Sequence, residues 1–455
     1  MYNLMVSHRS AITNRYANKH SDNKRTLEFL HHPRFNYQDV FEHLESTKSL
    51  GDIQGRIVVR LDTSKLNLAH NTGRLRMKDP HIGVLSRDDT VGMFFHVALI
   101  QSGNDYNQPL RLGALKCFAR PFHERRKKVS HTPIDDRETS LWANSMHEVV
   151  RRTSGASQRI FVSDRGSDSY YYLSECTKAK QDYVVRAKMN RRLGRKKPGL
   201  FERVRSIDGT GVEISVRVDG KKRPARMAKL SLKATCLTIP KSYVRDATVA
   251  PSVLPQVDVA VVHAVELPET VPQGRQPLEW ILLTSLPVQT AEQIEEVVKI
   301  YASRWKVEEL FKTVKSDVMK MEDTQLSTGH SIQKQLMLAL DVGTKIMSMK
   351  EHQDNEQADA SMLFDSVEIE VLEASLEECE GKTQKQKNPH RHQSLAWAIW
   401  IIARLGMWKG VYQSGPKIGV KTLKCGFDKL QERKTAWLMY QKRANQEQDH
   451  TKLPP

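Results

Sequence analysis

Two short apolar runs, each ending in an aspartate, constrain this chain more than any other feature. GRIVVRLD, residues 55–62, alternates, so that Ile57, Val59 and Leu61 take one face of a strand and Val58, Arg60 and Asp62 the other. RIFVSD, residues 159–164, is a second short apolar strand; it stops at Asp164 and runs into a glycine turn and the helical pattern YYYLSECTKA. A single aspartate at a strand end is ordinarily a turn or cap residue. Two of them, at the ends of separate strands, are candidates for shared acid chemistry.

The remaining pattern is mixed α/β. MFFHVALI and LRLGALKCFAR read as two strands joined by the turn-rich SGNDYNQP, a hairpin signal; LWANSMHEVVRR reads as a helix and DYVVRAK as a strand. Residues 1–50 are polar and basic with one helical pattern, VFEHLESTKSL. Residues 191–285 change character: the basic loops NRRLGRKKPG and DGKKRPARMAK lie among the alternating runs VEISVRV, AKLSLKATCLTI and DVAVVHAVEL. This segment is expected to be a β-rich insertion ending in LEWILLTSLPV. It divides a core into residues 51–190 and 286–350, with a long helix from about residue 290 to 315. Residues 351–455 are expected to be helical. They open with eleven acidic residues and no Lys or Arg between Glu351 and Glu380, pass through a basic linker, GKTQKQKNPHRHQ, and end in SLAWAIWIIARLGMW and TAWLMYQKRANQ.

Charge points to the partner. Lys plus Arg number 71 against 53 for Asp plus Glu, a net charge of +18 over 455 residues. An excess of this size suits a polyanion, because neutralising phosphates releases condensed counterions. The five cysteines are far apart and form no C-x-x-C pair, which argues against zinc fingers and disulfide scaffolds and fits a reducing, cytoplasmic setting. The opening MYNLMVSHRSAITNRYANKH has no apolar core of a secretory signal. AWAIWIIARLGMW falls short of the roughly 20 residues a bilayer span needs and contains Arg404, so no membrane is expected as a partner.

YASRWKVEELFKTVKSD, residues 301–317, carries the rest of the chemistry. Read as one helix, it gathers Tyr301, Arg304, Glu308, Lys312 and Lys315 into an arc of roughly 80°, with Val307, Leu310, Phe311 and Val314 opposite as a core face. One carboxylate between a guanidinium and two ammonium groups suits a phosphodiester site: the acid can hold a divalent metal and the cations the flanking phosphates. A solvated helix with i,i+4 ion pairs would show the same charges.

The spacing Y-x2-R-x3-E-x6-K, met by Tyr301, Arg304, Glu308 and Lys315, resembles the signature helix of the IS-four family of transposases, which contains the Tn-five transposase. RLDTSKLNLAH resembles that family's first-Asp strand and FVSDRGSDSYYYL its second-Asp block. DYVVRAK, KKRPARMAKLSL, LEWILLTSLPV and SLAWAIWIIARLG match in order, so the resemblance covers roughly residues 26–440. It implies a ribonuclease-H-like core with a DDE triad, Asp62, Asp164 and Glu308, as catalytic and metal-holding residues for two Mg²⁺ ions, which Mn²⁺ can replace. It implies cut-and-paste transposition: nicking at the element end, hairpin formation, reopening, and strand transfer to target DNA. Tyr301, Arg304 and Lys315 would position phosphates, Lys312 and Arg186 would lie beside the active site, and Trp280 would stack on an extruded base. Double-stranded DNA, as terminal inverted repeats and target, and a second copy of the chain are the implied partners, with SLAWAIWIIARLGMW in the dimer region.

Only 61 residues precede Asp62, fewer than the family's end-recognition domain uses, so a short or rewritten DNA-binding segment is expected at residues 1–50. A relative with that segment truncated would act instead as a dimerising inhibitor of transposition, and a general basic nuclease is a third reading, since a fold hosts many functions. Trp142 is expected to be a packing residue.

Overall fold

The computed structural model describes residues 20–46, 50–75, 78–86, 90–102, 108–122, 134, 137–194, 197–220, 223–241, 253–410 and 417–450. The first nineteen residues, the centre of the SGNDYNQP turn and parts of both basic loops lie outside them. Two helices, α1 (His20–His31) and α2 (Tyr37–Ser46), precede the first strand, where the sequence offered one helical pattern. The polar HSDNKRTLEFLH packs through Leu27, Phe29 and Leu30, and Lys334 Nζ donates to the His32 carbonyl at 2.6 Å, just beyond its last turn.

Alternation along GRIVVRLD becomes β1 (Gly55–Asn67), with Ile57, Val59 and Leu61 in the apolar cluster on one face of the sheet and Val58 in that on the other. The short β2 (Gly83–Val84), then β3 (Val91–Ser102) and β4 (Arg111–Phe118), lie antiparallel on one side of β1, bearing out the hairpin. On the other side β5 (Ala156–Ser163) and β6 (Asp182–Arg186) run parallel to it. The crossovers are α3 (Leu141–Arg152) and α4 (Tyr170–Lys178). The order β4-β3-β1-β5-β6, three antiparallel strands followed by two parallel ones, is ribonuclease-H-like.

After the short α5 (Leu200–Arg205), the insertion strands β7 (Glu213–Gly220), β8 (Arg223–Pro240) and β9 (Gln256–Glu266) form as expected. They do not make a separate sheet. β10 (Glu279–Thr284), which the sequence placed at the insertion's end, pairs antiparallel with both β9 and β6 and carries the core sheet on to ten strands. The pairing covers an edge that β6 would otherwise leave open.

One expectation is corrected. The helix read as continuous from residue 290 to 315 is two helices and a turn: α6 (Ala291–Ala302), α7 (Trp305–Lys312) and a single π-helical turn, Thr313–Asp317. Thr290 and Gln293 form a capping box that starts α6. At its end Ser303 Oγ bonds back to the Ile300 carbonyl at 2.7 Å, a contact that bends helices. The Ser303 carbonyl itself accepts from Arg60 Nε at 2.9 Å.

The C-terminal region is helical as expected: α8 (Gly329–Glu351), α9 (Ser366–Cys379), α10 (Leu395–Leu405) and α11 (Val420–His450). SLAWAIWIIARLG forms a core helix, with every side chain from Leu395 to Ala403 buried. The acidic segment is neutralised from within, since Glu368 accepts from Lys345 and Gln431 and Asp365 pairs with Lys434. No helix among the described residues is long and apolar enough to cross a membrane.

Candidate active site

Register alone brings the two strand-end aspartates together. Leu61 on β1 is paired with Ser163 on β5, and Ser163 with Val185 on β6. The next row along the sheet is therefore Asp62, Asp164 and Arg186. Alternation carries all three to the face on which Val58, Ile160, Val162 and Val184 pack against α6. Leu282 on β10 pairs with Arg186, which puts Trp280 at the same end of the sheet.

Asp164 leaves β5 as the cap of a short 3₁₀ turn, its Oδ1 accepting from Gly166 N at 2.7 Å. Glycine is needed there because a Cβ on residue 166 would stand 2.9 Å from both Asp164 Oδ1 and the Trp142 ring. Trp142 is buried, as expected of a packing residue, and meets His96 edge-on at 5.1 Å. His96 in turn bonds Thr63, the residue after Asp62, through Nδ1 at 2.8 Å. Burial pushes the His96 imidazole down to about 3, so it stays neutral.

Glu308 is tied to Asp62 through Arg304. Arg304, in the turn between α6 and α7, donates from Nη1 to Asp62 Oδ2 at 2.9 Å and from Nη2 to Glu308 Oε1 at 2.5 Å. α7 is fixed by the residues on either side of Glu308: Glu309 pairs with Lys350, and Lys306 donates to Glu351 at 3.0 Å and to Gln101 at 2.8 Å. Its apolar face is the expected one, with Val307, Leu310, Phe311 and Val314 buried.

Electrostatics binds the three acids into one group. Burial pushes the Asp62 carboxyl up to about 7; Arg304 and the Thr63 amide oppose the rise, and the charges of Asp164 and Glu308 add to it. Arg304 is held above its ordinary value: burial works against its charge, but Tyr301, Asp62 and Glu308 outweigh burial. The donor set is of the hard carboxylate kind that divalent cations take. Among the described residues no group of three or more Asp, Glu, His or Cys is placed closely enough to hold a metal ion as it stands.

The remaining signature residues separate once the helix is broken. Tyr301 is only 4 % exposed and packs beneath Trp280, ring centroids 4.9 Å apart and edge-on. Trp280 is half-buried on the sheet. Lys315 lies 3.5 Å from Glu322, and Lys312, its side chain 69 % exposed, reaches Asp317. Arg186 donates to the Glu279 carbonyl at 2.9 Å. Reading the sequence assigned no role to Arg60, although its place in an apolar run on the Asp62 face was a usable signal. Residues 129–340 match the family model of the transposase DDE domain, a span that contains Asp164 and Glu308, and this match supports a DDE transposase.

Proposed function

We propose that the chain is a cut-and-paste DNA transposase of the IS-four, YREK-bearing kind, cleaving DNA at element ends and joining them to a target. The observation that supports this reading is Arg304 bridging Asp62 on β1 to Glu308 on α7, with Asp164 at the end of the neighbouring strand β5. These three carboxylates are the residues that would hold divalent cations, Mg²⁺ in the first place, with Mn²⁺ able to replace it. Such cations, when bound, activate an attacking oxygen and stabilise the leaving one in phosphoryl transfer. The protein's own work is placement. Arg304 and Lys315 hold phosphates beside the reacting bond, the planar guanidinium being the better clamp. Lys312 and Arg186 add positive charge at the margins of the site. Tyr301 acts through Trp280 and Arg304, against which its ring lies.

Trp280, half-buried at the same end of the sheet, offers a face on which an extruded base can stack. That contact is worth about 1–3 kcal/mol per base. Cutting two ends together requires two copies, so a homodimer on DNA belongs to this reading. Leu438, Met439 and Tyr440 stand exposed on the last turns of α11, Tyr440 at 72 %, as surface for that contact.

Cleavage of a DNA duplex carrying the element's ends, with Mg²⁺ present, tests the proposal. Glu308→Ala should bind the duplex with unchanged affinity and cut it at least about 10²-fold more slowly. Full cleavage by Glu308→Ala would remove Glu308 from the site. Trp280→Ala should nick normally and form the hairpin about tenfold more slowly; unchanged hairpin kinetics would leave Trp280 a packing residue only.

A further inference from the structure

We propose that Arg304 is the resident counter-ion of the carboxylate site and competes with the divalent cation for Asp62 and Glu308. This rests on the reading of Asp62, Asp164 and Glu308 as one cation-holding set. One guanidinium spans two carboxylates from different elements, 2.9 Å to Asp62 on β1 and 2.5 Å to Glu308 on α7. Only 12 % of its side chain is exposed, so the bridge is an interior feature and not a surface pairing. The backbone supports that geometry. Arg304 sits at the break between two helices, its N–H bonded to the Tyr301 carbonyl at 3.0 Å, while Arg60 holds the preceding Ser303 carbonyl.

Arg304 occupies one oxygen of each carboxylate, Asp62 Oδ2 and Glu308 Oε1, oxygens that a hard cation held by these two acids would also draw on. Two cations cannot share them at contact distance without strong repulsion in a low-dielectric site. The two arrangements therefore compete. The bare protein holds its cation weakly, and a group that draws Arg304 away, such as a DNA phosphate, opens the site. Arg304 lies 5.9 Å from the centroid of the Tyr301 ring, which itself packs edge-on against Trp280.

Titration of the full chain with Mn²⁺, without DNA and followed by the free-ion electron paramagnetic resonance signal, tests this independently of catalysis. Arg304→Gln should bind Mn²⁺ about tenfold more tightly than the wild type. Arg304→Lys, which keeps a charge but cannot span both carboxylates, should fall between. Should Arg304→Gln not fold, Arg304→Lys carries the comparison alone. Equal or weaker binding by the folded variants, with Asp62→Asn still weakening the wild type, overturns the counter-ion role and leaves the carboxylate site standing. Binding indifferent to Asp62→Asn in every background overturns the site reading itself.

Discussion

Burial decides the charge of Asp62 more than either of its carboxylate neighbours does, and stability should record it. An acid whose folded value lies near 7 and whose unfolded value lies near 4 binds more protons folded than unfolded across that interval, so the fold weakens as pH rises through it. The loss is complete above about pH 7 and is on the order of a few kcal/mol. Asp62→Asn keeps an acceptor for Arg304 and the shape of the side chain while removing the charge. In the absence of divalent cations it should melt a few degrees higher than the wild type at pH 8, and within about a degree of it at pH 5. A melting difference that does not depend on pH would mean that Asp62 is ionised throughout. A cation offers the same relief, so the wild type should gain more thermal stability from Mn²⁺ at pH 8 than at pH 5, where protonated Asp62 is a poor ligand.

At the scale of elements, the strands were legible because a period of two is written locally: alternation in GRIVVRLD identified the face that carries Asp62 before any partner was known. The break in the signature helix was not. Its local sequence, KIYASRWKVEELF, keeps helical periodicity through Ser303 and Arg304, and beside the Ser303 back-bond the turn is held by a side chain 243 residues earlier, Arg60 donating to the Ser303 carbonyl and hydroxyl. Adding β10 to the core sheet was hidden for the same reason, since the pairing of Leu282 with Arg186 spans nearly a hundred residues. The break matters for function because it holds Arg304, which reaches Asp62 on β1 as well as Glu308 one turn further along. Arg60→Met keeps the stem's packing and removes the bonds that hold the turn. It should cost about 1–3 kcal/mol, the range for losing hydrogen bonds from a charged donor to buried acceptors. DNA cleavage should fall more steeply than DNA binding, because the Glu308 carboxylate moves while the basic surface stays. Equal losses in cleavage and binding would reduce Arg60 to a purely stabilising residue.

For the whole molecule, the largest apolar cluster ignores the order of the sequence. It joins Leu30 and Phe41 of the N-terminal helices, Phe95 and Val97 of β3, Leu310 and Val314 beside Glu308, and Trp397, Ile401 and Phe427 of the C-terminal helices. α8 runs through it with buried side chains along most of its length, so α10 and α11 complete the packing around the helix to which α7 is pinned. A boundary near residue 350, natural from the charge pattern, therefore cuts through a core. A chain ending at residue 350 would lose Val371, Leu372, Leu395, Trp397, Ile399, Ile401, Leu423 and Phe427 from that cluster. Each such side chain contributes about 1.5–3 kcal/mol on burial, and their sum is comparable to or larger than the roughly 5–15 kcal/mol that separates folded from unfolded states in ordinary domains. The shortened chain should consequently show no cooperative melting transition, although it retains Asp62, Asp164 and Glu308, and should have no Mg²⁺-dependent cleavage. The full chain should unfold with coincident changes in tryptophan fluorescence and helical circular dichroism. A soluble 1–350 fragment with its own sharp transition would show that the ribonuclease-H-like sheet and its helices carry enough core to stand alone, and that α9 to α11 only dock onto it.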